Sequence, residues 1–133
     1  MWQIDPRLDA DSELIIETST LQWRLFNDHR YDWIIIIPKV AGVTELFQLT
    51  NAQQSELISA GNETAQLLLK HCGADKVNCG YLGNVVSQLH YHVVGRKTSD
   101  EAWPGPVWGH SPRAPYSADA LEEKLDEWRN FLA

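Results

Sequence analysis

The chain has 133 residues, with 11 basic and 18 acidic side chains and a formal net charge of −7. That length suits one domain over residues 1–133, with a core that needs no staples, and no apolar run approaches the roughly 18 residues that cross a bilayer. The acidic balance supplies no basic stripe for nucleic acid, while a small anionic ligand stays open because a few NH groups can hold one phosphate.

The first stretch, MWQIDPRLDADSE, has no basic flank leading into an apolar run, so no signal peptide is read and a cytoplasmic address is expected. ELIIET (13–18) and LQWRLF (21–26) read as short strands around a Ser-Thr turn, and NDHRYD (27–32) as a polar turn. WIIIIP (33–38) is a β-branched run stopped by proline, as expected of a strand buried on both faces. TNAQ (50–53) has the form of a capping box, after which Leu57, Ile58, Gly61, Ala65, Leu68 and Leu69 share one helical face. Lys70 and His71 suit a last turn and Gly73 a left-handed stop, giving a helix of about 20 residues. Cys72 and Cys79 form no CxxC pair and read as reduced bystanders.

KVNCGYL (76–82) and SQLHYHVVGR (87–96) read as two further strands joined by GNVV. WPGPVWGHSPRAPYS (103–117) reads as an ordered loop, because tryptophans are poorly placed in solvent. Ser117 then caps a closing helix with Leu121, Leu125, Trp128 and Leu132 along one side. Short turns between neighbouring strands predict an antiparallel meander with helices on one face, an α+β fold.

The chemistry concentrates in QLHYHVVGR (88–96). On a strand, residues two apart lie about 6.5–7 Å from one another on one face. Gln88, His90 and His92 thus form a polar row, while Leu89, Tyr91 and Val93 turn toward the long helix. Three readings of the row are open. It can be the wet face of an antiparallel sheet. It can hold a metal, but none of His29, His71, His110, Cys72 or Cys79 has ligand spacing to the pair. It can pair a nucleophilic imidazole with a neighbour that holds charge on the substrate, chemistry that suits histidine at neutral pH.

QLHYHVV resembles the histidine-triad signature, His-φ-His-φ-His-φ-φ with φ apolar, with Gln88 at the first histidine position, His90 at the middle and His92 at the last. LFNDHRYDWIIIIPK (25–39) is similar to the family's nucleoside-binding strand, turn and apolar strand. The long helix, VNCGYLGNVVSQLHYH (77–92) and WPGP (103–106) follow in the family's order. The resemblance implies a five-stranded antiparallel sheet with a long central helix and a C-terminal helix, and a homodimer paired across a two-fold. It also implies metal-independent nucleotidyl transfer or hydrolysis on a small-molecule nucleotide, with no cofactor. His90 would attack the α-phosphorus and His92 would hold a phosphate oxygen.

Gln88 departs from the signature; its amide can orient a neighbour by hydrogen bonding, and galactose-1-phosphate uridylyltransferases carry glutamine at a different member of the triad. Trp33 stands where some relatives carry another histidine. Asn27 and Asp28 match family positions near the ribose, although Asn-Asp before a turn is also ordinary turn chemistry. Asn78 and Asn84, and Ser87 beside the row, are candidates for the phosphate site. Arg96 and Lys97 are expected at the surface. Trp103 is expected to close the pocket or touch a partner subunit, the alternative being that it pins its loop to the core, and Trp108 and His110 have no assignment. A nucleotide-binding or interaction module with little catalysis is the second class of function, against which retention of His90 weighs.

Overall fold

The computed structural model describes residues 1–133. In chain order the elements are α1 (Pro6–Asp11), β1 (Ser12–Glu17), β2 (Leu21–Phe26), β3 (Asp32–Pro38), a 3-10 turn (Leu46–Gln48), α2 (Asn51–His71), β4 (Lys76–Tyr81), β5 (Tyr91–Arg96) and α3 (Ala118–Leu132). The five strands form one antiparallel sheet in the order β1-β2-β3-β5-β4. This is not a simple meander. The α2 crossover returns the chain so that β5 lies against β3 and leaves β4 at an edge.

The isoleucine run of β3 divides the interior in two. Ile34 and Ile36 enter a cluster with Leu57 and Leu68 of α2 and Leu125 and Trp128 of α3. Trp33, Ile35 and Ile37 point the other way, into a second cluster with Leu8, Val86, Val94, Ala102 and Val107. All four isoleucines are fully buried, each worth about 1.5–3 kcal/mol of transfer free energy. A continuous apolar run is what a central strand covered on both faces requires.

The long helix begins as its sequence predicts. The Thr50 hydroxyl accepts from the Gln53 amide and the Gln53 side chain accepts from the Thr50 amide, a reciprocal cap worth about 1 kcal/mol. Gly73, at φ 69°, supplies the left-handed residue just past its end. Its buried face differs from the expected one: Ala60 and Thr64 are buried with Leu57, Gly61 and Leu68, while Leu69 is exposed and Ile58 only half-buried. Gly61 leaves room for the Tyr91 ring of β5 against the helix, for a Cβ there would stand 2.6 Å from that ring.

Three further points differ from the sequence reading. The helices are not confined to one face, because α1 and the loop carrying Ala102 and Val107 cover the second, so the polar row is not the wet side of the sheet. The helix α1 was not foreseen; six residues give too little periodicity, although Asp5, whose side chain accepts from the Arg7 amide, and Pro6 at its first position are start signals. The last strand also begins later than residue 87. Leu89 donates its amide to the Val43 carbonyl, outside the ladder, and pairing with β3 and β4 starts at Tyr91.

The two outer edges of the sheet are unlike. On β1 the register shifts between Leu14 and Ile16, and Arg129 of α3 donates to the Leu14 and Ile15 carbonyls, both at 3.1 Å. On β4 the outer edge has no neighbour.

Candidate active site

His92 lies in β5 opposite Ile35 of β3 and Gly80 of β4, and so belongs to the second face. His90 sits just before the strand. Both open on a cleft of about 280 Å³ between the sheet, α1 and the 103–117 loop. Phe26, Trp33, Val86, Val107 and Trp108 give it apolar walls, Leu8 and Arg7 reach it from α1, and Asn84, Asp28 and Arg113 add polar groups. Both histidines are nearly inaccessible, at 6% and 5% exposure, yet their rings meet edge to face with centroids 4.7 Å apart.

Their protonation follows from their partners. His90 Nδ1 is 2.7 Å from the Gln88 backbone carbonyl. A carbonyl only accepts, so Nδ1 carries the hydrogen and the neutral ring keeps its lone pair on Nε2. His92 is the reverse. The Trp33 indole Nε1, which can only donate, donates to His92 Nδ1 at 3.0 Å. The neutral His92 ring must then carry its hydrogen on Nε2, which is buried and has no protein partner. Burial pushes the His92 pKa down to about 3, with a further push from His90. Burial also lowers His90 below 6.5, against the opposing effect of the Gln88 carbonyl. At neutral pH the cleft therefore holds a nucleophilic nitrogen next to an N–H donor.

Gln88 does not orient this row through its amide. The side chain turns to the N-terminal segment, accepting from the Asp5 amide at 2.9 Å and donating to the Gln3 carbonyl at 2.8 Å. Only its backbone carbonyl reaches His90.

The predicted binding residues divide. Asp28 and Asn84 line the cleft. Asp28 is 1% exposed and held by Arg30, whose Nε and Nη2 lie 3.0 and 2.8 Å from its two oxygens. Asn27, Asn78, Ser87 and Trp103 stand outside the cleft. The Asn27 side-chain oxygen Oδ1 accepts from the Tyr116 backbone amide and fixes the approach to α3. Asn78 accepts from Arg96 at 2.8 Å. Ser87 points to solvent. Trp103 lies over the Arg96 guanidinium, 5.7 Å from ring centroid to charge centre, and so pins its loop.

Arg96 is not at the surface as expected. It is fully buried and paired with Asp100 at 2.9 and 3.0 Å, because a guanidinium sealed under a loop needs both a carboxylate and further acceptors.

Sequence reasoning missed Trp108, Arg113 and the α1 residues Arg7, Leu8 and Asp11. Trp108 is the wall that Trp103 was expected to be, its ring 5.3 Å from His92 and 6.2 Å from Trp33. The WPGPVWG stretch carries both tryptophans, and nothing in its composition distinguishes the inward from the outward one. Asp11 bridges the two arginines of the rim, 3.2 Å from Arg113 and 3.8 Å from Arg7.

No three His, Cys, Asp or Glu side chains converge to hold a metal ion. His29, His71 and His110 lie elsewhere: His71 stacks on Phe131, and His110 pairs with Glu101.

Comparison with known proteins agrees with this architecture. The HIT domain family model matches residues 7–99. A histidine triad protein from Sinorhizobium meliloti 1021 is 39% identical over 99% of this chain and 95% of its own, with a TM-score of 0.89. A histidine triad protein from Marinobacter aquaeolei VT8 is 36% identical over 99% and 96%, with a TM-score of 0.95. A third, from Bradyrhizobium japonicum, is 29% identical over 99% and 98%, with a TM-score of 0.93. No curated protein matches the sequence.

Proposed function

The chain belongs to the HIT domain family, and from that membership and its paired imidazoles we propose that it is a nucleotidyl hydrolase or transferase acting through a covalent histidine intermediate. The observation that carries the reading is the opposite tautomers of His90 and His92, one presenting a lone pair and the other a hydrogen to the same cleft. A pure binding module has no use for the first.

In the first step the His90 Nε2 lone pair attacks the α-phosphorus of a nucleotide. The bond from phosphorus to the leaving group breaks, and its electron pair departs with that group, which takes a proton from water. The imidazole becomes cationic, and its Nδ1–H bond to the Gln88 carbonyl strengthens as charge develops. The His92 Nε2–H donates to a non-bridging phosphate oxygen without giving up its proton, since a neutral imidazole is far too weak an acid to lose it. In the second step water, or another acceptor in a transferase, attacks phosphorus. The P–N bond breaks, His90 returns neutral, and the attacking group's proton passes to solvent.

The apolar walls suit a nucleobase, and Asp28 and Asn84 are the proposed polar contacts to the nucleotide. The substrate class is a nucleoside phosphoramidate, a dinucleoside polyphosphate or a related nucleotidyl ester. No protein-bound metal is needed in this scheme, because the two rings supply both nucleophile and donor. We also propose that the protein is a cytoplasmic homodimer. Two free cysteines, Cys72 and Cys79, support a reducing compartment. The unpaired β4 edge, with Tyr81, Leu82 and Val85 exposed beside it, supports pairing.

The test is a panel of AMP- and GMP-based phosphoramidates and dinucleoside polyphosphates, with mass spectrometry of the quenched enzyme. A nucleotidyl adduct on His90 is expected, and turnover should persist after exhaustive chelation. His90→Ala should abolish turnover while nucleotide binding and the fold remain. Undiminished turnover in that variant would remove His90 from its role, and binding without any adduct or turnover in the parent would favour the binding module.

A further inference from the structure

The glutamine at the first triad position is bonded to a segment more than 80 residues away in sequence, 83 from Asp5 and 85 from Gln3. Its amide offers one acceptor and one donor to backbone groups two residues apart, as a paired strand would. Residues 1–5 have no other hydrogen bond to the body of the protein; the remaining ones, from Arg7 to the Asp5 side chain and from Asp9 to the Asp5 carbonyl, stay within the turn that starts α1. Trp2 and Ile4 pack against the second cluster, which includes Trp33 and Val86. The far end of α1 is held separately, where the Arg24 guanidinium bonds Asp9 and Ser12. Between these two attachments α1 presents Arg7, Leu8 and Asp11 to the cleft.

We infer that Gln88 is a positioning residue that clamps the N-terminal segment and α1 as one wall of the cleft, while its own carbonyl orients His90. The side chain acts on substrate binding and the main chain on the nucleophile. The inference rests on the reading of the cleft as the nucleotide site, but the clamp can be tested without turnover.

Gln88→Ala removes both clamp bonds and leaves the carbonyl that faces His90. Hydrogen exchange at the amides of residues 3–5, 7 and 8 should accelerate, with that of β5 unchanged. The dissociation constant for AMP and the KM for an adenosine phosphoramidate should rise roughly tenfold, the scale of two lost hydrogen bonds, with kcat within about twofold and its pH profile unmoved. Gln88→Glu keeps the acceptor for the Asp5 amide but turns a like-charged oxygen to the Gln3 carbonyl, so it should fall between parent and Gln88→Ala. Unchanged exchange at those N-terminal amides overturns the clamp. Faster exchange with unchanged AMP affinity and KM overturns the link to binding, as does a fall in kcat alone. A parent that neither binds AMP nor turns over any nucleotide sinks the functional reading instead, and exchange still decides the clamp.

Discussion

Trp33 is the residue whose single polar atom decides most. Its N–H bond to His92 is buried, and no other protein group hydrogen-bonds to the His92 nitrogens. Trp33→Phe keeps most of the ring that packs against Phe26 and Trp108 but leaves His92 Nδ1 without a donor. Stranding a buried acceptor costs about 1–3 kcal/mol, and the freed ring then divides between tautomers. The expected result is a fall in kcat of roughly 10- to 100-fold, by that free energy. Nitrogen-15 spectra of the imidazoles should show mixed His92 tautomers in the variant and a single Nε2–H form in the parent. Retained kcat with a mixed spectrum would mean that the donor can be either nitrogen. From sequence the position was legible only as a departure, a tryptophan where some relatives have a histidine. Its bond to His92 depends on β3 and β5 being neighbours, and no local pattern reports that pairing.

Among the elements, the strands, α2 and α3 were readable because each carries a period, a cap or a stop within its own residues. Thr50 with Gln53, Gly73 and Ser117 mark ends that the structure keeps. The site was readable only where it coincides with such an element. His90 and His92 come from one motif, whereas Arg113 and the α1 residues reach the cleft from a loop and a short helix far away in sequence. The 103–117 loop shows the limit well, since its two tryptophans have opposite jobs. Trp103→Ala uncovers the buried Arg96 and should lower stability by about 1–3 kcal/mol, below the cost of a fully buried tryptophan, with KM little changed. Trp108→Ala should raise KM with a smaller loss of melting temperature. Thermal unfolding and steady-state kinetics on the two variants check the division, and a reversed pattern would exchange their roles.

For the molecule as a whole, two buried neutral histidines couple folding to pH. Both have folded pKa values below the ordinary 6.5, His92 at about 3. Above 6.5 each is neutral whether folded or not, so their contribution is constant. As pH falls below 6.5 the unfolded chain takes up protons that the folded one refuses, and stability drops until the folded rings protonate. The slope approaches about 1.4 kcal/mol per pH unit for each proton. Denaturant midpoints measured from pH 7.5 down to 4.5 should therefore fall steadily, and His92→Phe should flatten part of that fall. A midpoint independent of pH over this range would mean that the rings titrate normally in the folded state.

The unequal margins of the sheet bear on how copies of this chain can add to one another. Main-chain pairing between molecules needs a free strand on each. Here Arg129 occupies carbonyls on β1, whose bulge also bends that side, while β4 stays free. A molecule with one available margin is monovalent in this mode. Joining two copies β4 to β4 consumes the valence of both, so growth terminates at a pair instead of continuing into a fibre. By holding the Leu14 and Ile15 carbonyls, Arg129 of the C-terminal helix plays the part of a chain terminator in the polymer chemist's sense.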